Sequence, residues 1–360
     1  MQLRHAVDHA YNLFLKREVP SPRLNAELLA LFVLGRERSY LYAHPEYELT
    51  VEEQTQYEEI ITQRAEGCPT QYITGHQEFW GLDLMVSPAV LIPRPETEHV
   101  VETVLELVGK YYDEHRHSTN SDFSDCARID SGRLRIVDVG VGSGCIALAL
   151  ASELPQAEIH GCDISEDALE IARINAARLA LGSRVLFRKS DLLEVYLPSG
   201  SAAQRDPGEE HGTASSADEH DPAPGGRAAT SEERAVMSEG GAAASPAPAP
   251  APTSAAAEAS QFDFVVANPP YVGESEADKV QKQVREFEPK IAVFCGTEGM
   301  EVYRRLIPQA RQALRPGGWL VMEIGYSTEA EVKELLAAWT DVQTTADLQG
   351  IPRVMAARRA

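Results

Sequence analysis

An α/β chain is predicted, with a doubly wound sheet preceded by a small helical bundle and a hairpin hinge. Three observations carry that prediction. From Arg135 onward, short apolar runs of strand length alternate with segments of helical spacing, which is the rhythm of βαβ units. The first of those runs ends in a glycine-rich turn, Gly140-Val141-Gly142-Ser143-Gly144, that leads straight into a helix. The first 75 residues show only helical periodicity. The expected boundaries are a helical domain over 1–75, a hinge over 76–93, the sheet domain over 94–198 and 261–360, and an insertion over 199–260.

In the helical domain, Ser21 precedes a proline suited to a first helical position, and Leu24, Leu28, Leu31 and Phe32 follow on one expected face. Thr50-Val51-Glu52-Glu53 has capping-box spacing, and Gly67 is placed to stop that helix. Glu78 to Val86 reads as extended, a hairpin joining the two parts. Arg94-Pro95-Glu96 opens a helix expected through Val108. Strands follow at Ile136–Val139, Glu158–Cys162, Val185–Lys189, Phe262–Ala267 and Trp319–Ile324. Helices are expected at Ile146–Leu154, Glu166–Leu181 and Leu306–Leu314.

The insertion stands apart in composition. Its 62 residues include 18 Ala, 9 Ser, 7 Pro and 7 Gly, and Val236 and Met237 are its only large aliphatics. Such a stretch cannot bury enough apolar surface to offset its ordering entropy, so disorder is expected. A weaker polar stretch spans Asp113 to Arg133. The whole chain has 360 residues with 33 basic against 55 acidic side chains, a formal charge of −22. Affinity for bulk nucleic acid comes mostly from Lys and Arg on phosphates, so this balance argues against it. The longest apolar run, Leu28–Leu34, cannot span a bilayer, and no apolar signal region follows Met1-Gln2-Leu3-Arg4-His5. A cytoplasmic chain is expected. Five scattered cysteines without CxxC or Cys/His spacing support neither a disulfide framework nor a metal site.

The glycine loop reads GxGxG rather than the GxGxxG of a dinucleotide fold. Glycines at alternate positions let the backbone turn sharply and approach a ligand with no Cβ in the way. Asp163 closes the next strand, placed to accept from two ribose hydroxyls, and Asp191-Leu192 follows the third, where an acid could accept from an adenine amino group. No Lys follows the loop in the manner of a phosphate-binding turn, so a nucleoside without phosphates is the suggested ligand. At the end of the fourth strand stands Asn268-Pro269-Pro270-Tyr271. The prolines stop the strand and hold Asn268 at the carboxyl edge of the sheet. The Asn268 side-chain oxygen and the Pro269 carbonyl are then two neutral acceptors for a planar –NH₂ group. Tyr271 offers a ring to stack on it. A plain strand-terminating turn is the alternative reading of Pro-Pro.

Together these residues resemble the class I S-adenosylmethionine-dependent methyltransferases, and more closely the HemK/PrmC family, the protein-(glutamine N5) methyltransferases of peptide release factors. The likeness is carried by the helical N-terminal domain, Glu78-Phe79-Trp80-Gly81, Ile92-Pro93-Arg94-Pro95-Glu96-Thr97-Glu98, the glycine loop, Asn268 to Tyr271 and Phe287-Glu288-Pro289. It implies a Rossmann-like methyltransferase sheet, S-adenosyl-L-methionine as cofactor, and transfer to the glutamine amide of a Gly-Gly-Gln motif. By the same resemblance, Gly140, Val141, Gly142, Ser143 and Gly144 wrap the methionine end of the cofactor and Asp163 holds its ribose. Asp191 and Leu192 border its adenine. Asn268 sits between cofactor and substrate, Asn268 and Pro269 bind the amide, and Pro270 and Tyr271 shape the slot. The implied partner is a release factor docked partly on the helical domain, with no membrane or direct nucleic-acid contact and a monomeric enzyme.

Departures exist: Val141 stands where Thr is more usual, and no polar residue follows Gly350. Rival readings are an amino-methyltransferase acting on a ribosomal-protein glutamine or on a nucleic-acid base, a nicotinamide-dependent oxidoreductase, and a non-catalytic binding module. Arg94, Glu96 and Glu98 either line the site or orient the hinge, or are solvated helix-opening charges, and Glu288 either closes the site or ends a loop. His76 and His99 are expected at the surface or hinge, and Cys145 as a packing residue.

Overall fold

The computed structural model describes residues 1–116, 134–198 and 261–360, with the side chains of 111–116 left aside. The insertion at 199–260 and most of the polar stretch from Asp113 to Arg133 lie outside the described residues.

The N-terminal bundle packs α1 (Leu3–Lys16), α2 (Pro22–Leu34), α3 (Arg38–Ala43) and α4 (Val51–Ala65), followed by the short α5 (Thr70–Thr74). Leu3, Ala6, Val7, Ala10 and Phe14 recur at helical spacing and are buried against Leu29, Tyr57 and Ile61. The capping box forms: Glu53 N–H donates to Thr50 Oγ1 at 3.1 Å and Thr50 N–H to the Glu53 carboxylate at 2.8 Å. Gly67 follows the end of α4 at φ +110°. Two details differ from expectation. Ser21 is left-handed and makes no side-chain cap; the Asn25 side chain instead donates to Pro20 O and Ser21 O. The buried face of α2 is Ala26, Glu27, Leu29, Ala30 and Leu31, whereas Leu24, Leu28 and Phe32 are exposed. The helix is apolar nearly all round, so periodicity could not choose its face. The small Ala26 and Ala30 let the neighbouring helices come close, and Tyr57 reaches Ala26 O at 2.9 Å.

The hairpin pairs β1 (His76–Phe79) with β2 (Leu82–Met85) across a Trp80-Gly81 turn, both at positive φ. Trp80 N–H donates to Glu98, and its indole N–H to Glu153, each at 2.9 Å. Pro95–Thr97 forms a single 3₁₀ turn and α6 then runs Glu98–Arg116, longer than expected.

The sheet has seven strands in the order β5-β4-β3-β6-β7-β9-β8. These are β3 (Arg135–Val139), β4 (Glu158–Asp163), β5 (Val185–Lys189), β6 (Phe262–Ala267), β7 (Leu314–Glu323), β8 (Thr340–Ala346) and β9 (Pro352–Arg358). The crossover helices are α7 (Cys145–Glu153) and α8 (Glu166–Arg178). Beyond β6 come α9 (Lys282–Phe287), α10 (Lys290–Val293), α11 (Glu301–Ala313) and α12 (Glu329–Leu335). β3 to β7 run parallel, as the βαβ alternation implies, and β9 is antiparallel to both β7 and β8, so the doubly wound sheet is mixed. The order of connections reverses at β3, placing the switch point between β3 and β6 at the carboxyl ends of the strands.

Chain entry into β6 is pinned. Asp263 accepts from Arg135 N–H at 2.7 Å and pairs with Arg315. The Tyr196 and Phe262 rings meet edge-on with centroids 5.1 Å apart, so the chain leaves and rejoins the sheet at the same place.

Candidate functional site

A cavity opens at the switch point. Its wall includes all five loop residues except Gly144, together with Asp163, Asp191, Leu192, Asn268 and Pro270. Gly140, Gly142 and Gly144 have φ of +73°, +52° and +88°, a left-handed conformation that L side chains rarely adopt. Asp163 staples this turn: Gly142 N–H donates to Oδ2 at 3.0 Å and Ser165 N–H to Oδ1 at 2.9 Å. A carboxylate has about four lone-pair positions, so these contacts do not exhaust it. Burial raises the Asp163 carboxyl, and the Ser165 and Gly142 N–H groups pull it back down. Buried Asn175 ties the hairpin to the loop, donating to Met85 O and Ser143 O and accepting from Met85 N–H at 2.7 Å.

Asp191 is paired through one oxygen with Arg305 at 2.6 Å. Burial pushes the Cys145 thiol up to about 12, in keeping with a packing role.

Asp138 was not singled out by sequence reasoning. Only 1% exposed, it sits within the apolar strand β3. Oδ2 accepts from Ala147 N–H at 3.1 Å, while Oδ1 has no hydrogen-bond partner. The residue lines the cavity. Burial pushes its carboxyl up to about 7; the Ala147 N–H opposes that rise and the neighbouring Asp163 charge adds to it. The signal was present as a lone acid in Ile136-Val137-Asp138-Val139, because an acid inside a buried strand needs a partner.

At the other side of the cavity, the Asn268 side-chain nitrogen donates to Thr97 Oγ1 at 3.0 Å, and Thr97 donates to Glu323 Oε2 at 2.6 Å. Tyr271 donates to Glu323 Oε1 at 3.1 Å. Burial raises the Glu323 carboxyl, and the Thr97 and Tyr271 hydroxyls pull it down. Pro269 is buried. The Tyr271 hydroxyl is thus held by Glu323, the same carboxylate that holds Thr97.

The segment that follows Tyr271 is held by its neighbours. Val272 N–H donates to Val293 O at 3.2 Å and Cys295 N–H to Val272 O at 2.9 Å. A Cβ on Gly299, at φ +82°, would fall 2.5 Å from Tyr271 O. Glu288 neither faces solvent nor merely ends a loop: it pairs with Arg94 and accepts from Ile92 N–H at 3.1 Å. Arg94 thus orients the hinge, Glu98 caps the hairpin turn, and Glu96 lies 3.9 Å from Arg353.

The comparisons agree with this geometry. Residues 5–75 match the PrmC N-terminal domain family, and residues 130–204 a methyltransferase domain family. A release factor glutamine methyltransferase of Koribacter versatilis is 43% identical over 100% of this chain and 99% of its own. Another, of Chlorobaculum tepidum, is 33% identical over 94% of this chain and 91% of its own. A third, of Salmonella typhimurium, is 31% identical over 99% of both chains. Similarity that runs from the helical bundle through the last strand covers the glycine loop and the Asn268 turn alike, and the chain belongs to the family of release factor glutamine methyltransferases.

Proposed function

We propose that this protein transfers the methyl group of S-adenosyl-L-methionine to the side-chain amide nitrogen of the glutamine in the Gly-Gly-Gln motif of peptide chain release factors. The observation that carries the reading is the Asn268 amide. Its nitrogen is engaged by Thr97, Asn268 lines the cavity, and among the described residues no donor reaches its oxygen. In this reading that oxygen and the Pro269 carbonyl, next to it in the chain, are the two acceptors for the two N–H bonds of a primary amide.

The cavity fits the cofactor on grounds of its own chemistry. The orphaned Asp138 Oδ1 is an anion-forming atom in a buried pocket, the complement of an ammonium group such as a methionine end carries. The glycine loop brings backbone close to the same end, and Asp163 and Asp191 offer acceptors farther along. S-Adenosylmethionine, when bound, supplies an electrophilic methyl on a sulfonium. The protein's part is alignment. An amide nitrogen is a poor nucleophile because its lone pair is delocalised. Asn268 and Pro269 hold its two N–H bonds and stabilise the positive charge that develops as the bond to carbon forms. The amide proton is lost to water afterwards, and no general base is needed beforehand.

Ionisation of Asp138 gives this reading a pH signature. In the empty protein its raised carboxyl contributes stability that is complete below about pH 4 and is lost as pH rises through about 7. A bound ammonium favours the carboxylate, so cofactor affinity runs the other way. It tightens towards about pH 7 and weakens below that by up to about tenfold per pH unit. Calorimetric titration from pH 5 to 8 should show that slope in wild type. Asp138→Asn should bind more weakly at pH 8 with a flat profile from 5 to 7, and an unaltered slope would remove Asp138 from the cofactor site.

The helical bundle supplies the second contact to the protein substrate in this reading. Leu24, Leu28 and Phe32 form an exposed apolar row on α2, and the charge of −22 suits a protein partner better than nucleic acid. Leu28→Asp should raise KM for a release factor about fivefold, equivalent to about 1 kcal/mol, with kcat and cofactor affinity unchanged. An unchanged KM would place docking elsewhere.

The direct test is transfer of labelled methyl to a purified release factor, alongside one whose Gly-Gly-Gln glutamine is alanine. Labelling of the first alone supports the reading. Labelling of neither, with cofactor bound normally, would move the substrate to another amide-bearing macromolecule.

A further inference from the structure

We infer that Thr97 and Glu323 are positioning residues that set which end of the Asn268 amide faces the substrate. The inference rests on the reading of Asn268 above and deepens it. An asparagine amide has one accepting and one donating end of nearly the same shape. Turned one way it receives a substrate N–H; turned the other way it presents two N–H bonds to it and repels it. Something must fix the choice, and the chain Asn268–Thr97–Glu323–Tyr271 does so.

Polarity runs along this chain from its far end. Glu323, 2% exposed at the carboxyl end of β7, accepts two hydroxyl donors, one per oxygen: Thr97 at 2.6 Å and Tyr271 at 3.1 Å. A carboxylate can only accept. The single Thr97 hydroxyl proton is therefore committed to Glu323, and the Thr97 oxygen has only lone pairs left to offer Asn268. The atom 3.0 Å away must be the donor, Nδ2. The amide oxygen is thereby turned away from Thr97, where it can receive the substrate amide. Glu323 is itself fixed along the strand, its own carbonyl accepting from the buried Tyr303 hydroxyl at 2.9 Å. Thr97 comes from the Arg94-Pro95-Glu96-Thr97-Glu98 segment, 171 residues before Asn268, so that segment acts on the reacting group through an uncharged side chain and not through its charges.

Thr97→Val keeps the shape and removes the hydroxyl. Its kcat for methyl transfer to a release factor should fall roughly 10- to 100-fold, with the Kd for S-adenosylmethionine unchanged, and Thr97→Ser should restore it. In an Asn268→Ala background Thr97→Val should add no further loss, because its effect passes through that amide. A second readout needs no substrate. The Asn268 side-chain NH₂ signal, identified in ¹⁵N-labelled protein by its disappearance in Asn268→Ala, should exchange with solvent faster in Thr97→Val. Should Thr97→Val not fold, Glu323→Gln serves for the same measurements, since it keeps the volume and removes the obligatory acceptor. Full kcat in the substituted enzyme, or an equal loss with and without Asn268, would overturn the inference. If wild type transfers methyl but Asn268→Ala is unimpaired, the reading of Asn268 fails instead. The exchange measurement still judges the Thr97 contact in that case.

Discussion

Asn268→Ala is expected to lower kcat by about 10²–10³-fold while S-adenosylmethionine binding is little changed. The size follows from what is removed. Methyl transfer to an amide places positive charge on nitrogen only as the new bond forms, so an acceptor on that N–H is worth more in the transition state than in the ground state. Alanine leaves the Pro269 carbonyl as the one remaining acceptor, and it leaves Thr97 Oγ1 without its donor. The groups proposed to face the cofactor, Asp138, Asp163 and the glycine loop, lie on β3, β4 and their turns and are untouched. Single-turnover kinetics with a release factor, together with a binding isotherm for the cofactor, would check both halves. A parallel collapse of cofactor affinity would mean that Asn268 serves the cofactor and not the substrate.

The second large effect belongs to stability. Glu288 has a side chain with 0% exposure, paired with Arg94, which is 30% exposed. Removing the cation leaves a charged carboxylate with the Ile92 N–H as its surviving partner. Breaking a buried pair from one side typically costs about 3–5 kcal/mol, so Arg94→Leu should lose stability of that order in urea unfolding. Arg94→Leu with Glu288→Gln should recover most of it, because a neutral amide can still accept from Ile92 and no charge is stranded. Failure of the second substitution to rescue would show that Arg94 matters through its packing and not through the pair.

The parts of the fold legible in the sequence are those where one physical requirement dominates. Phe262–Ala267 is a strand over the expected residues because an interior parallel strand is buried on both faces and reads continuously apolar, and Val185–Lys189, at the sheet edge, is one because it is short and bounded. The glycine loop and the Asn268 turn were legible for a similar reason: few residues tolerate positive φ, and few stop a strand as prolines do. What escaped notice lay where neighbours decide. The edge strand β8 is largely polar, Thr340-Asp341-Val342-Gln343-Thr344-Thr345-Ala346, and β9 carries Met355-Ala356-Ala357, residues of weak strand preference that pair through tertiary contact. On α2 the face that turned inward is Ala26, Glu27, Leu29, Ala30 and Leu31, which leaves Leu24, Leu28 and Phe32 outside. The contact of the Tyr271 hydroxyl with Glu323 was not legible, because it depends on the neighbouring strand. Asp138 and Glu323 share a signature worth using: each is a solitary carboxylate in an apolar strand, and each is buried.

The meeting of Tyr196 and Phe262 at the sheet has a topological consequence. Sixty-two residues separate Pro198 from Gln261, yet the two ends of that span are brought together by ring contact and by the Asp263 anchor. Closing a loop whose ends are already fixed depends only weakly on its length, about 0.6 kcal/mol for each doubling. The interval between β5 and β6 is thus a place where this lineage can lengthen, shorten or exchange polypeptide with hardly any thermodynamic penalty, although it opens within a few residues of Asp191 and closes within a few of Asn268.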